Sequence, residues 1–147
     1  MRELLILFLI VGLLSLLQSF GFSIFNIRPN LALVSVIAAS FFVANIWQGF
    51  LLIVLAGLIL KFAPGFEKEI LIFSLIGAGA VIIRNRLPWH QFLVNLFLIT
   101  AGTFIFYVIL APNLIFSLIF LKEIFFNLIL GTLIFAFFNF LWQNKIV

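Results

Sequence analysis

Charge is so sparse in this sequence, and so widely spaced, that it limits what the chain can fold into. Eight Lys and Arg and four Glu residues make up 8 % of the 147 positions, and Asp does not occur. They fall between long apolar runs. A soluble domain of this size needs roughly a quarter of its residues charged to cover its surface. Placing an Arg or Lys at the centre of a bilayer costs on the order of 3 kcal/mol even on a lenient insertion scale. The charges therefore mark edges, and the apolar runs between them are expected to cross a membrane. The expected fold class is all-α: a polytopic integral membrane protein, with residues 1–147 forming a single transmembrane helical domain.

A chain of 147 residues accommodates about five or six spans and little else. No stretch is polar enough for a soluble domain, so any catalytic domain is expected on another polypeptide. Met1-Arg2-Glu3 followed by an apolar run resembles the start of a signal peptide. No small-x-small cleavage site follows, and an uncleaved first span is expected over residues 4–20. The linker over 21–28 is too short and too apolar for a solvated loop and is expected to lie in the membrane interface. Pro29 suits the first turn of a second helix, because its φ is fixed and its missing N–H is not needed there. As one helix, residues 30–60 would be about 46 Å long against a hydrocarbon core of about 30 Å. A corner is expected at Asn45-Ile46-Trp47-Gln48-Gly49, giving spans over 30–44 and 49–62.

Pro64-Gly65 and Glu67-Lys68-Glu69 form the clearest loop. A fourth span is expected over 70–83, a loop over 84–90, and a fifth span over 91–110, stopped by Ala111-Pro112-Asn113. Residues 114–121 are apolar but too short to cross, which leaves a re-entrant piece, an interfacial piece or an early part of the last helix. Lys122-Glu123 then precede a sixth span over 124–142. The count is six, or five if the second and third form one broken unit. An even count puts both termini on one side. With Arg2, Arg84, Arg86 and Lys145 on that side and Arg28, Lys61, Lys68 and Lys122 on the other, the tally is level. The adjacent Arg84 and Arg86 tip both termini to the cytoplasm.

Chemistry is scarce. Acid–base or metal catalysis needs paired carboxylates or a His–carboxylate set, but each Glu falls in an expected loop or terminus. The only His is His90, which reads as an interface residue beside Trp89. Cys is absent, there is no phosphate-binding Gly-rich loop, and no cofactor or metal is expected. Proton-coupled transport normally keeps a carboxylate within a span, and none is expected here. No basic run suggests nucleic acid. Gln18, Asn30, Ser35, Ser40, Ser74, Asn95, Thr100, Thr103, Asn127, Thr132 and Asn139 read as helix–helix glue rather than as a pocket. Gly49, Gly57 and the Gly77-Ala78-Gly79-Ala80 run read as places of close helix approach.

Certain short motifs carry a resemblance. A first span ending in Leu17-Gln18, a short apolar linker, and Arg28-Pro29-Asn30-Leu31 opening the second span resemble the rod shape-determining protein MreD family. The likeness continues through Gly49, Ala56-Gly57-Leu58 and Pro64-Gly65. It also takes in the Gly-rich fourth span with Arg84-Asn85-Arg86 after it, and Asn139 late in the last span. Where that family often has Asp after the glycine of the third span, this chain has Lys61. The resemblance implies a small non-enzymatic scaffold of the bacterial inner membrane, multi-pass and surrounded by membrane lipids. It would bind an MreC-like protein and, through it, MreB filaments, a SEDS glycosyltransferase and a penicillin-binding transpeptidase. It also implies about six short transmembrane helices, similar to the substrate-binding S-component of energy-coupling-factor vitamin transporters. Such an S-component is the alternative function. Its Ala-x-x-x-Ala docking face has no counterpart in the first span, which holds Gly12 and Ser15 but no Ala.

Overall fold

The computed structural model describes residues 2–62, 65 and 67–143. Six helices follow in chain order: α1 (Arg2–Ser19), α2 (Leu31–Ser40), α3 (Ile46–Leu60), α4 (Glu67–Ile83), α5 (Gln91–Leu110) and α6 (Leu118–Gln143). A single 3-10 turn, Pro112–Leu114, lies between α5 and α6. Pro64 and Lys145, on which the expected loop and part of the charge tally rest, lie outside the described residues.

The sequence of α2 explains the arrangement. Its ten residues, Leu-Ala-Leu-Val-Ser-Val-Ile-Ala-Ala-Ser, include no charge and form no polar face. A helix that is apolar all round belongs in an interior. Every residue of α2 is buried, and α2 packs against each of the other five helices. Its two polar side chains are satisfied within the helix: Ser35 donates to the Ala32 carbonyl at 3.0 Å and Ser40 to the Ile37 carbonyl at 2.7 Å. At about 1.5 Å per residue such a helix is about 15 Å long, half of a hydrocarbon core. The span expected over 30–44 is thereby corrected. The chain turns after Ser40, and α2 meets protein on all sides.

Among the described residues, α1, α5 and α6 are long and apolar enough to cross a membrane. Helix α3 is apolar but has 15 residues, and α4 carries Glu67, Lys68 and Glu69 in its first turn. The outer helices bury narrow stripes. On α1 these are Leu7, Val11, Gly12 and Ser15, while Leu5, Leu9 and Leu13 stay exposed. The outside of the bundle is thus apolar as well as the inside.

Three boundaries differ from expectation, one being the start of α4, which takes in Glu67, Lys68 and Glu69 of the expected loop. The corner between α2 and α3 lies at residues 41–45, so Trp47, Gln48 and Gly49 fall in the first turn of α3; Gln48 Oε1 accepts from the Ala44 amide at 3.0 Å and closes the corner. Helix α6 begins six residues before 124, because Ser117 caps it by accepting from the Phe120 amide at 3.2 Å. Lys122 and Glu123 therefore lie inside α6. The linker after α1 is a two-residue hairpin: Ile24 and Ile27 exchange amide–carbonyl bonds around Phe25 and Asn26, at φ 49° and 63°. Two successive positive φ values are the mark of a type I′ turn.

Candidate functional site

Helix ends alternate between the two ends of the bundle. The start of α1, the corner before α3, the start of α5 and the end of α6 border one cavity, about 580 Å³ in volume. The end of α1, the linker to α2, the start of α4, the end of α5 and the start of α6 border the other, about 320 Å³. At the second, side chains from several helices hydrogen-bond around the first turn of α2.

The leading amides of that turn have no partner within the helix. Asn30 is the N-cap, its Oδ1 accepting from the Leu33 amide at 3.2 Å. Gln18, on the last turn of α1, reaches across, and its Oε1 accepts from the Ala32 amide at 2.8 Å. The Asn30 amide donates to Asn127 Oδ1 on α6 at 3.0 Å, and Asn127 Nδ2 donates to Thr103 Oγ1 on α5 at 3.1 Å. One turn nearer the cavity, the Tyr107 hydroxyl donates to the Glu123 carboxylate. Thr103 with Tyr107, and Glu123 with Asn127, are i, i+4 pairs on antiparallel helices, so the two contacts form successive rungs.

Gln18, Arg28, Asn30, Glu69, Tyr107 and Glu123 supply the polar wall of this cavity; Phe22, Phe106, Leu110 and Leu114 supply the apolar one. Arg28 and Glu69 form no ion pair with one another or with Glu123, and Glu69 Oε2 is buried without a hydrogen-bond partner. Carboxylates, a guanidinium, amides and a phenol make a set suited to holding a charged polar group.

The residues singled out from sequence divide between the two ends. Gln18, Arg28, Pro29, Asn30 and Leu31 come together at the smaller cavity, with Leu31 buried as the first residue of α2. Gly57 sits on α3 facing α4, where an added Cβ would lie 3.6 Å from Ile70 Cγ2. Arg84, Arg86 and Asn139 lie at the opposite end. Arg84 is 7 % exposed, and its Nη2 donates to the Val43 carbonyl at 3.4 Å while Nε and Nη1 have no partner. Burial pulls its guanidinium below the ordinary arginine range. Arg86 is exposed, and Asn139 borders the larger cavity with Gln48, Gln91 and Trp142. His90 is the N-cap of α5, its Nδ1 accepting from the Phe92 amide at 3.3 Å.

The expectation that every Glu lies in a loop or terminus is corrected on three counts. Glu123 is within α6, and Glu67 and Glu69 are in the first turn of α4. Sequence reasoning missed Glu69 and Glu123 as site residues, and Tyr107 with them. The i, i+4 polar pairs on α5 and α6 were the available signal. Comparison with family models, with curated proteins and with solved structures finds no match to this chain.

Proposed function

We propose that the chain is a multi-pass, non-enzymatic scaffold of the bacterial inner membrane, serving the rod-shape machinery by binding an MreC-like partner. The observation that carries this reading is the junction at the start of α2. Leu17-Gln18 and Arg28-Pro29-Asn30-Leu31, the stretches that resemble the MreD family, meet there, and Gln18 and Asn30 close two amides of the same helix. Short motifs that build a buried helix are what a packing protein needs. The apolar outer faces of α1, α5 and α6 suit lipid and partner spans. In this reading the six helices sit in an S-component-like arrangement, with both termini, Arg84 and Arg86 facing the cytoplasm.

The test is affinity purification of the full chain in mild detergent, with mass spectrometry of whatever accompanies it. Recovery of an MreC-like single-span protein and cell-wall synthases is the expected result. Loss of every protein partner under gentle conditions would overturn the scaffold reading.

A second reading, the substrate-binding S-component, is favoured by the polar-lined cavity of about 320 Å³. Its signature in the same experiment is a stoichiometric small molecule together with an ATPase-coupled membrane subunit.

A further inference from the structure

We infer that the cavity bordered by Arg28, Glu69 and Glu123 holds the ethanolamine headgroup of an aminophospholipid, its phosphodiester at Arg28 and its ammonium at the two carboxylates. This rests on the membrane placement proposed above and on no partner protein. Arg28, Glu69 and Glu123 border one cavity and form no ion pair with one another, and Glu123 accepts from Tyr107. Arg28 is exposed, so the uncompensated charge is that of Glu69, and an occupant carrying a cation removes its cost. Glu69 Oε2 is cut off from solvent and bonded to nothing. The bland explanation, an acid placed to favour the start of α4, is already met by the exposed Glu67 in the same turn. A water molecule would satisfy the oxygen and leave the charge uncompensated.

The chemistry narrows the occupant. An ammonium with N–H donors can hydrogen-bond both carboxylates; a choline nitrogen has no such donors. A serine headgroup would bring a third carboxylate against Glu69 and Glu123, and a glycerol headgroup brings no cation. The zwitterion of ethanolamine and phosphodiester remains. A lipid, rather than a free solute, fits the opposite wall, where Phe22 and Leu114 are partly exposed and join the apolar exterior of the bundle.

The experiment is native mass spectrometry of the full chain in mild detergent with phosphatidylethanolamine, phosphatidylcholine and phosphatidylglycerol of identical acyl chains. Phosphatidylethanolamine adducts are expected to exceed the others by about tenfold, the worth of one charge-assisted hydrogen bond. Glu69→Gln should abolish that preference, Arg28→Gln should lower all three adducts with the ratio kept, and Glu67→Gln should leave the preference intact. Because the preference is a ratio within one sample, partial unfolding lowers all adducts together and cannot imitate the effect of Glu69→Gln. Free O-phosphoethanolamine separates the sources. Displacement of the lipid at matched concentration assigns the zwitterion site to a solute, and no displacement assigns it to the lipid; both keep the chemistry. Equal adducts for all three lipids, or a preference surviving Glu69→Gln, would overturn it. Failure of the partner purification leaves this result standing. Recovery of the chain in the soluble fraction without detergent would overturn the membrane placement separately.

Discussion

At the scale of single residues, space decides more than residue type does. Gly49 and Gly57 stand eight apart on α3 and look equivalent in sequence. A Cβ at Gly49 would lie 2.8 and 3.0 Å from the two γ-carbons of Val81, and one at Gly57 would make only ordinary contacts. Both methyls of a χ1-restricted valine face Gly49, so rotation brings no relief. Gly49→Ala is expected to destabilise by about 1–3 kcal/mol, more than the helix propensity of Ala returns. Gly57→Ala is expected to be neutral or to stabilise by up to about 1 kcal/mol. Thermal midpoints in detergent give the two signs, and adding Val81→Ala to Gly49→Ala should recover most of the loss. Asn127 is a second such position. Its side chain joins the Asn30 amide to Thr103, and it is fully buried. Asn127→Leu should cost about 2 kcal/mol, since it strands a buried amide. Thr103→Val should cost less than about 1 kcal/mol, because in the proposed membrane placement a bond average of about 0.6 kcal/mol applies between helices. A chemical-denaturation series on the two variants checks the order.

At the scale of elements, helix bounds were legible where a cap and a proline agreed and were missed where a charged pair was read as an edge. Helix α5 begins and ends where the sequence places it, because His90 caps it and Pro112 follows it. Charged residues read as edges misplaced the start of α6. Lys122-Glu123 is tolerated inside the helix since Tyr107 supplies Glu123 with a partner, a fact of packing invisible in the chain itself. The cavity was half legible: the motif residues on the first two helices were found, and the acids opposite them were not. The hairpin at Phe25-Asn26 is a different case, with local chemistry working against the observed turn. A bulky aromatic at φ 49° costs on the order of 1 kcal/mol, and a type I′ turn prefers Asn-Gly. Phe25 is 87 % exposed, and its stacking on Phe126, at 6.3 Å between centroids, returns little. Replacing the pair by Phe25→Asn with Asn26→Gly should stabilise the protein by about 1 kcal/mol, read as a higher thermal midpoint. A lower midpoint would mean that the aromatic contact outweighs the backbone strain.

At the scale of the whole molecule, the organising fact is a helix that reads as a membrane span and is surrounded by protein. Composition alone cannot separate the two, because lipid and a protein interior are equally apolar to α2. Its short length and its small residues are the features that suit an interior. The surrounding helices then alternate in direction, placing Asn26 and Arg86 at opposite ends of the bundle. In the proposed membrane placement those ends face opposite sides. The chain has no cysteine, so single substitutions report position without a background to remove. A membrane-impermeant maleimide applied to right-side-out vesicles should label Asn26→Cys at once and Arg86→Cys only after permeabilisation. Ser35→Cys, at the middle of the buried α2, should stay unlabelled under both conditions. Labelling of Asn26→Cys and Arg86→Cys from one side would overturn the alternation of helices across the membrane. The reverse pattern would keep the alternation and turn the termini outward. Ready labelling of Ser35→Cys would mean that α2 is reached from outside, and that the bundle is not closed around it.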